Sequence, residues 1–210
     1  MNPFASIAHF FQAGGAFLYP ILAVAVIGIA IAIERAFYIS KARAENRRLW
    51  AELVPLVNRG DLASAEATAS SSDSPIGRIF GHGIARARSS SKRDEVEMSM
   101  EESLMEVTPL LERRTHYLAT FAYVSTLLGL LGTVVGLING FAAVSNVNPA
   151  EKADLLSKSV SEAMNCTAFG IGVAVPLLLL HALLAAQTND LIDNLEMAAL
   201  KFLNALGLKN

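Results

Sequence analysis

Apolar positions in this chain are gathered into three long blocks, and a helical polar–apolar rhythm fills the space between them. Met1–Ile33 contains no Asp, Glu, Lys or Arg, and neither does Thr115–Ala150 or Ala163–Asn189. About 20 apolar residues carry a helix across a hydrocarbon core. The pattern therefore predicts three membrane spans, over 16–39, 117–144 and 160–187. One such run also fits a buried helix of a soluble protein; three in 210 residues do not. After the first span, Leu49, Leu53, Leu56 and Val57 recur at helical spacing. Gly60-Asp61 marks a turn, and "SSSDSP" (70–75) and "RARSSSKRDE" (86–95) mark loops. Residues 94–114, "DEVEMSMEESLMEVTPLLERR", predict an acidic helix running straight into the second span, with Pro109 as a bend. In "PFASIAHFFQA" (3–13), Phe4, Ile7, Ala8, Phe10 and Phe11 fall near helical spacing. They fit a short helix in the outer interface or the start of the first span.

Composition agrees with a membrane protein: 53% of residues are hydrophobic and 17% charged. No basic segment precedes the first span, and "IERAFYISKAR" puts positive charge on its far side, so it reads as a retained anchor and not as a secretory signal. Thirteen of the 17 Lys and Arg residues lie between Arg35 and Arg114, whereas the loop between the second and third spans holds Lys152 and Lys158 alone. The positive-inside rule then orients the chain. The expected organisation is an all-α integral membrane protein with an external segment 1–15, a cytoplasmic helical region 40–116, an external loop 145–159 and a cytoplasmic tail 188–210.

The spans are two-faced. At 100° per residue, Ala122, Thr126, Gly129, Thr133, Gly136 and Gly140 share one stripe of the second span. Gly132 adds a further small residue, while Leu128, Leu131, Val134, Val135, Leu137 and Ile138 make the other side bulky. In the third span Ser159, Ala163, Thr167, Gly170, Ala174, His181, Ala185 and Thr188 share a side, and Pro176 opens the backbone ladder. Small stripes let helices approach closely in lipid, so packing alone accounts for each. A membrane threonine commonly bonds its own helix four residues back. Two matched stripes, each with a threonine deep in the bilayer, point to a shared cavity or a partner surface.

No Asp, Glu, Lys or Arg stands mid-span, although proton pathways use titratable groups. Glu162 lies at the outer end of the third span, and His181 is an internal candidate whose ordinary role is a neutral packed side chain. If the chain moves protons, the essential carboxylate comes from another protein. The single Cys166 cannot make an internal disulfide, and the four histidines show no metal-ligand spacing, so neither a cofactor nor a metal is expected. The net charge of −2 gives no reason to expect nucleic-acid binding. No nucleophile–base pair or phosphate loop is present, so an enzyme is not expected.

"GLLGTVVGLINGF" (129–141) and "SEAMNCTAFGIGVAVP" (161–176) resemble the paired signatures of the ExbB/TolQ/MotA family of proton-motive-force-coupled motor and stator subunits, and "IERAFYI" (33–39) resembles that family's segment at the inner end of its first span. Three spans and a short chain look most like ExbB or TolQ, because flagellar-type members carry four spans. Thr126 stands where the family often has proline, and Cys166 where it usually has alanine.

The resemblance implies a bacterial inner-membrane homopentamer around a central pore lined by the second and third spans. A dimer of a single-span ExbD- or TolR-like partner would thread the pore, its membrane aspartate facing the threonines matched here by Thr133 and Thr167. Glu162 matches the motif glutamate and would shape the outer mouth. Arg113 and Arg114 would line a cytoplasmic vestibule. Proton passage would turn the partner and deliver work to a TonB- or TolA-like effector. The rival reading is a non-conducting membrane scaffold that only stabilises a partner; a stand-alone solute channel is a third.

Overall fold

The computed structural model describes residues 15–90, 92–145 and 147–206. The predicted segment 3–13 lies outside them. Among the described residues every regular element is an α-helix: α1 Leu18–Asn58, α2 Leu62–Ser70, α3 Pro75–Ser89, α4 Arg93–Glu112, α5 Thr115–Val144 and α6 Pro149–Ala205. α1, the stretch Arg93–Val144 and α6 are each long and apolar enough to cross a membrane. At 1.5 Å per residue α6 is about 85 Å long, far more than a bilayer needs. The chain divides into two compact units, 1–33 with 114–183, and 34–113 with 184–210.

The first unit holds the apolar part of α1, all of α5 and α6 as far as Leu183. Its interior is made mostly of small residues, with Leu18, Ile21, Leu118 and Leu177 among them, and most of its large ones point outward. Buried positions on α5 are Leu118, Ala122, Ser125, Gly129, Gly132 and Gly140; on α6 they are Ala163, Cys166, Gly170, Ala174 and Leu177. Tyr123, Leu127, Leu131, Ile138, Ile171, Val175 and Leu179 are exposed. That inversion is how helices pack in lipid, where burying leucine gains nothing and close backbone approach gains contact. α1 joins through Gly28, where an added Cβ would lie 2.8 Å from the Leu177 side chain.

The second unit is packed in the ordinary water-soluble manner. Phe80 of α3 is buried, stacked on Phe202 of α6 with centroids 4.6 Å apart and tilted against Trp50 of α1 at 5.5 Å. Leu53, Ile79, Met100, Leu111 and Leu195 complete the core. The expected turns fall where Gly60, at φ +74°, and the serines interrupt the pattern. Asp61 caps α2, accepting from the Ser64 N–H at 3.1 Å. Ser74 caps α3, accepting from the Gly77 N–H at 3.2 Å, with Pro75 pre-set for the first turn.

Two boundaries differ from the sequence expectation. The acidic helix does not run unbroken into the second span. It stops at Glu112, and Arg114 takes the left-handed conformation at φ 66° before α5 begins. Pro109, expected as a bend, lies inside α4, which continues past it. The segment 149–159, expected as loop, is helical: Pro149 starts α6, and the Glu151 N–H donates to the Asn148 carbonyl at 3.0 Å. Proline suits a first helical turn, whose N–H groups lack helical partners anyway.

Candidate functional site

The glycines of α5 face α6 of the same chain. A Cβ on Gly129 would lie 3.2 Å from the Thr167 Cα and 3.3 Å from the Gly170 Cα. One on Gly132 would meet Cys166 at 2.8 Å, on Gly136 Ala163 at 2.9 Å, and on Gly140 Ser159 at 2.7 Å. The partners run backwards along α6 as the glycines run forwards along α5, so the helices are antiparallel over this whole seam. Ala174 is buried on the α6 side. The close approach that the small stripes provide is thus used first within the chain.

Packing shifts the buried stripe by one residue from the straight-helix reading. Ala122, Gly129 and Gly140 of the small stripe are buried, and the buried set is completed by Ser125 and Gly132, each one residue before a threonine of that stripe, Thr126 and Thr133. Long antiparallel helices follow a mean spacing nearer 3.5 than 3.6 residues, which favours alternating steps of four and three. Ser125 is the residue the sequence reading missed. It is fully buried, and its hydroxyl donates to the Gly170 carbonyl at 3.0 Å. The 118-122-125-129-132 rhythm was the available signal.

The threonines divide in role. Thr167 is half-buried and its hydroxyl donates across the seam to the Gly129 carbonyl at 2.9 Å. Thr133, half-buried at the rim, donates to the Leu130 carbonyl of its own helix at 2.6 Å. Thr126, exposed, donates to the Ala122 carbonyl at 3.1 Å. Thr133 and Thr167 thereby bond adjacent carbonyls of α5, 130 and 129. Each hydroxyl oxygen keeps acceptor capacity after donating.

Glu162 is half-buried, five residues before Thr167 on α6, about 7.5 Å along the axis. It packs against Gly15, where φ is +72° and an added Cβ would collide with the Glu162 Oε1. His181, half-buried, lies fourteen residues beyond Thr167, about 21 Å away along the helix, so it does not join the threonines. Pro176 is exposed and has no N–H for the carbonyl of Gly172. The Cβ position of Gly172 meets nothing within 4 Å, so that side of α6 is open. In the second unit, Arg113 is exposed at the end of α4. Arg114, half-buried, precedes α5 in the first.

Three long apolar helices, small residues inside and large ones outside, with hydroxyls on a packed helix pair, define a multi-span helical membrane protein. The chain belongs to the MotA/TolQ/ExbB proton channel family, which matches residues 71–197. It is similar to the biopolymer transport protein ExbB-like 3 of Synechocystis sp., with 30% identity over 80% of each chain. An ExbB homologue of Methanothermobacter thermautotrophicus is 26% identical over 94% of this chain and 69% of its own. The Tol-Pal system protein TolQ of Haemophilus influenzae is 35% identical over 38% of this chain and 34% of its own.

Proposed function

We propose that this chain is the channel-scaffold subunit of a complex that converts proton motive force into mechanical work on the cell envelope. It works as a homopentamer in a bacterial inner membrane, with its N-terminus outside and 40–116 in the cytoplasm. A dimer of single-span ExbD- or TolR-like proteins occupies the pore and supplies the membrane carboxylate that this chain lacks. A TonB- or TolA-like protein receives the work. Family membership and the relatives named TolQ and ExbB support this reading.

The observation that carries it is the pair of hydroxyls on adjacent carbonyls. Thr133 and Thr167 are held rigidly by donating to Leu130 and Gly129, with acceptor lone pairs left for a carboxylic acid or a water file. Glu162 shapes the outer mouth, and the carbonyl freed by Pro176 offers another acceptor to whatever covers the open side of α6. His181 stands apart, on the cytoplasmic side.

The test is proton flux into liposomes containing the full chain with the single-span protein that copurifies from its own host membrane. Flux in the wild type, abolished by Thr133→Val or Thr167→Val while native mass spectrometry shows the complex intact, is the expected result. An intact complex without flux makes the protein a non-conducting scaffold; flux indifferent to both substitutions removes Thr133 and Thr167 from the conduction path.

A further inference from the structure

A cavity of about 350 Å³ lies wholly within the second unit, between one face of α1 and one face of α6. Arg43, Asn46, Arg47 and Trp50 line it from α1, and Leu195 and Lys201 from α6. The size is at the lower end of small-ligand sites. Three cations therefore converge on one hollow. Among the described residues, neither Arg47 nor Lys201 is within ion-pair distance of a carboxylate. Arg43 donates to the Gln187 carbonyl at 3.4 Å and lines a more open neighbouring cleft with Asp190, Asp193 and Asn194, so its charge is partly offset. Arg43 and Arg47 stand four residues apart, a like-charge spacing that costs helix stability.

The cavity also holds a buried donor without a partner. Asn46 is 6% exposed. Its Oδ1 accepts from the Ile76 N–H at 3.1 Å, which settles the amide's orientation, and its Nδ2 has no partner among the described residues. A buried unpaired donor costs about 1–3 kcal/mol in general, so proteins seldom keep one without use. The polar groups on offer are thus mostly donors, guanidinium, ammonium and amide N–H: the Asn46 Oδ1 is engaged, and Asn194, which also lines the cavity, donates its Nδ2 to the Asp190 carbonyl and adds its Oδ1 as an acceptor. Trp50 and Leu195 add an apolar wall.

We propose that this cavity binds a phosphate group. A doubly charged oxyanion supplies many acceptors and no donor, relieves the repulsion among the three cations, and suits the forked geometry of arginine. The group arrives either on an anionic phospholipid headgroup or free in solution. Arg43 follows the charge-free run of α1 by ten residues in sequence, which leaves both sources open.

Trp50 is the single tryptophan of the chain, so intrinsic fluorescence reports on this cavity. The full chain in phosphatidylcholine nanodiscs is titrated with inorganic phosphate against chloride at equal ionic strength. A parallel series replaces phosphatidylcholine stepwise with phosphatidylglycerol. The expected result is a saturable emission change in one series, which identifies the source. Arg47→Gln with Lys201→Gln should weaken it by about ten-fold or more. Arg59→Gln with Arg78→Gln, which removes equal charge from the same unit away from the cavity, should leave it unchanged. Asn46→Asp is the second variant. It keeps the acceptor for Ile76 but puts negative charge in place of the donor, and should abolish the response. Silence of Trp50 in both series, or a response that survives the loss of Arg47 and Lys201, overturns the proposal.

Discussion

Thr167 donates its hydroxyl to the Gly129 carbonyl across the α5–α6 seam at 2.9 Å, whereas Thr133 bonds Leu130 within its own helix. The two therefore respond differently to the same change. Thr167→Val should weaken the helix pair by about 0.6 kcal/mol, the usual worth of an interhelical hydrogen bond in a membrane. Thr167→Ser should restore it. Thr133→Val should stay within about 0.5 kcal/mol of wild type, because it removes no contact between helices. Unfolding in mixed micelles checks the order; equal losses at both positions would remove the structural distinction between them.

Gly170 and Gly172 are two residues apart on α6 and face different surroundings. A Cβ on Gly170 would lie 2.7 Å from the Ser125 carbonyl oxygen, which is backbone and cannot swing aside. Gly170→Ala should force the helices apart at a cost of about 1–3 kcal/mol. Gly172→Ala meets nothing among the described residues and should not destabilise the chain. Melting temperatures of the two purified variants make the comparison. A loss at Gly172 seen only in the assembled complex would map a partner contact.

Gly15 and Gly60 both take positive φ, at +72° and +74°, so alanine strains either by about 1 kcal/mol. Their surroundings separate them. Gly60 has open space around its Cβ position, while Gly15 abuts the Glu162 carboxylate. Gly15→Ala should therefore displace Glu162 and alter proton flux, and Gly60→Ala should alter stability alone. Flux and melting measured on both variants test this.

Arg35 is buried, donates to the Leu111 carbonyl near the end of α4, and lies 4.8 Å from the Tyr38 ring centroid. The last carbonyls of a helix lack helical donors, and a cation there also meets the negative end of the helix dipole. Arg35→Ala should cost about 2 kcal/mol, in the range for hydrogen bonds to charged groups. Faster amide exchange along 107–112 is the expected signature. Unchanged exchange there would mean that the Arg35 bond does not hold the end of α4.

Two carboxylates of the second unit, exposed Asp61 and half-buried Glu95, titrate below their usual range. The Ser64 hydroxyl, then its backbone N–H, hold Asp61 low; the Ser90 hydroxyl, then Lys92, hold Glu95 low. A depressed folded pKa means that the charged form stabilises the fold. That contribution is present above the unfolded values near 4 and is lost as pH falls through the lower folded ones. Melting should be flat from about pH 7 to 5 on this account and decline below about 4. Asp61→Asn, which still caps α2, combined with Glu95→Gln should flatten the decline.

The sequence by itself determined the three spans, since a charge-free run of that length has few other stable placements, and it determined the turns, since Gly60 and the serine cluster interrupt the helical rhythm. It also located the small faces. Their use was settled by packing. Gly129, Gly132, Gly136 and Gly140 meet α6 of the same chain because antiparallel neighbours joined by a short loop reach each other first. The one-residue shift that buried Ser125 comes from the spacing of two packed helices, which a single helical wheel does not contain. The break at Arg113–Arg114 is carried by one backbone conformation, and arginine has no preference that would announce it. The cavity beside Trp50 joins residues about 150 positions apart in the chain, and only the packing of α6 beside α1, in the same direction, brings their charges together.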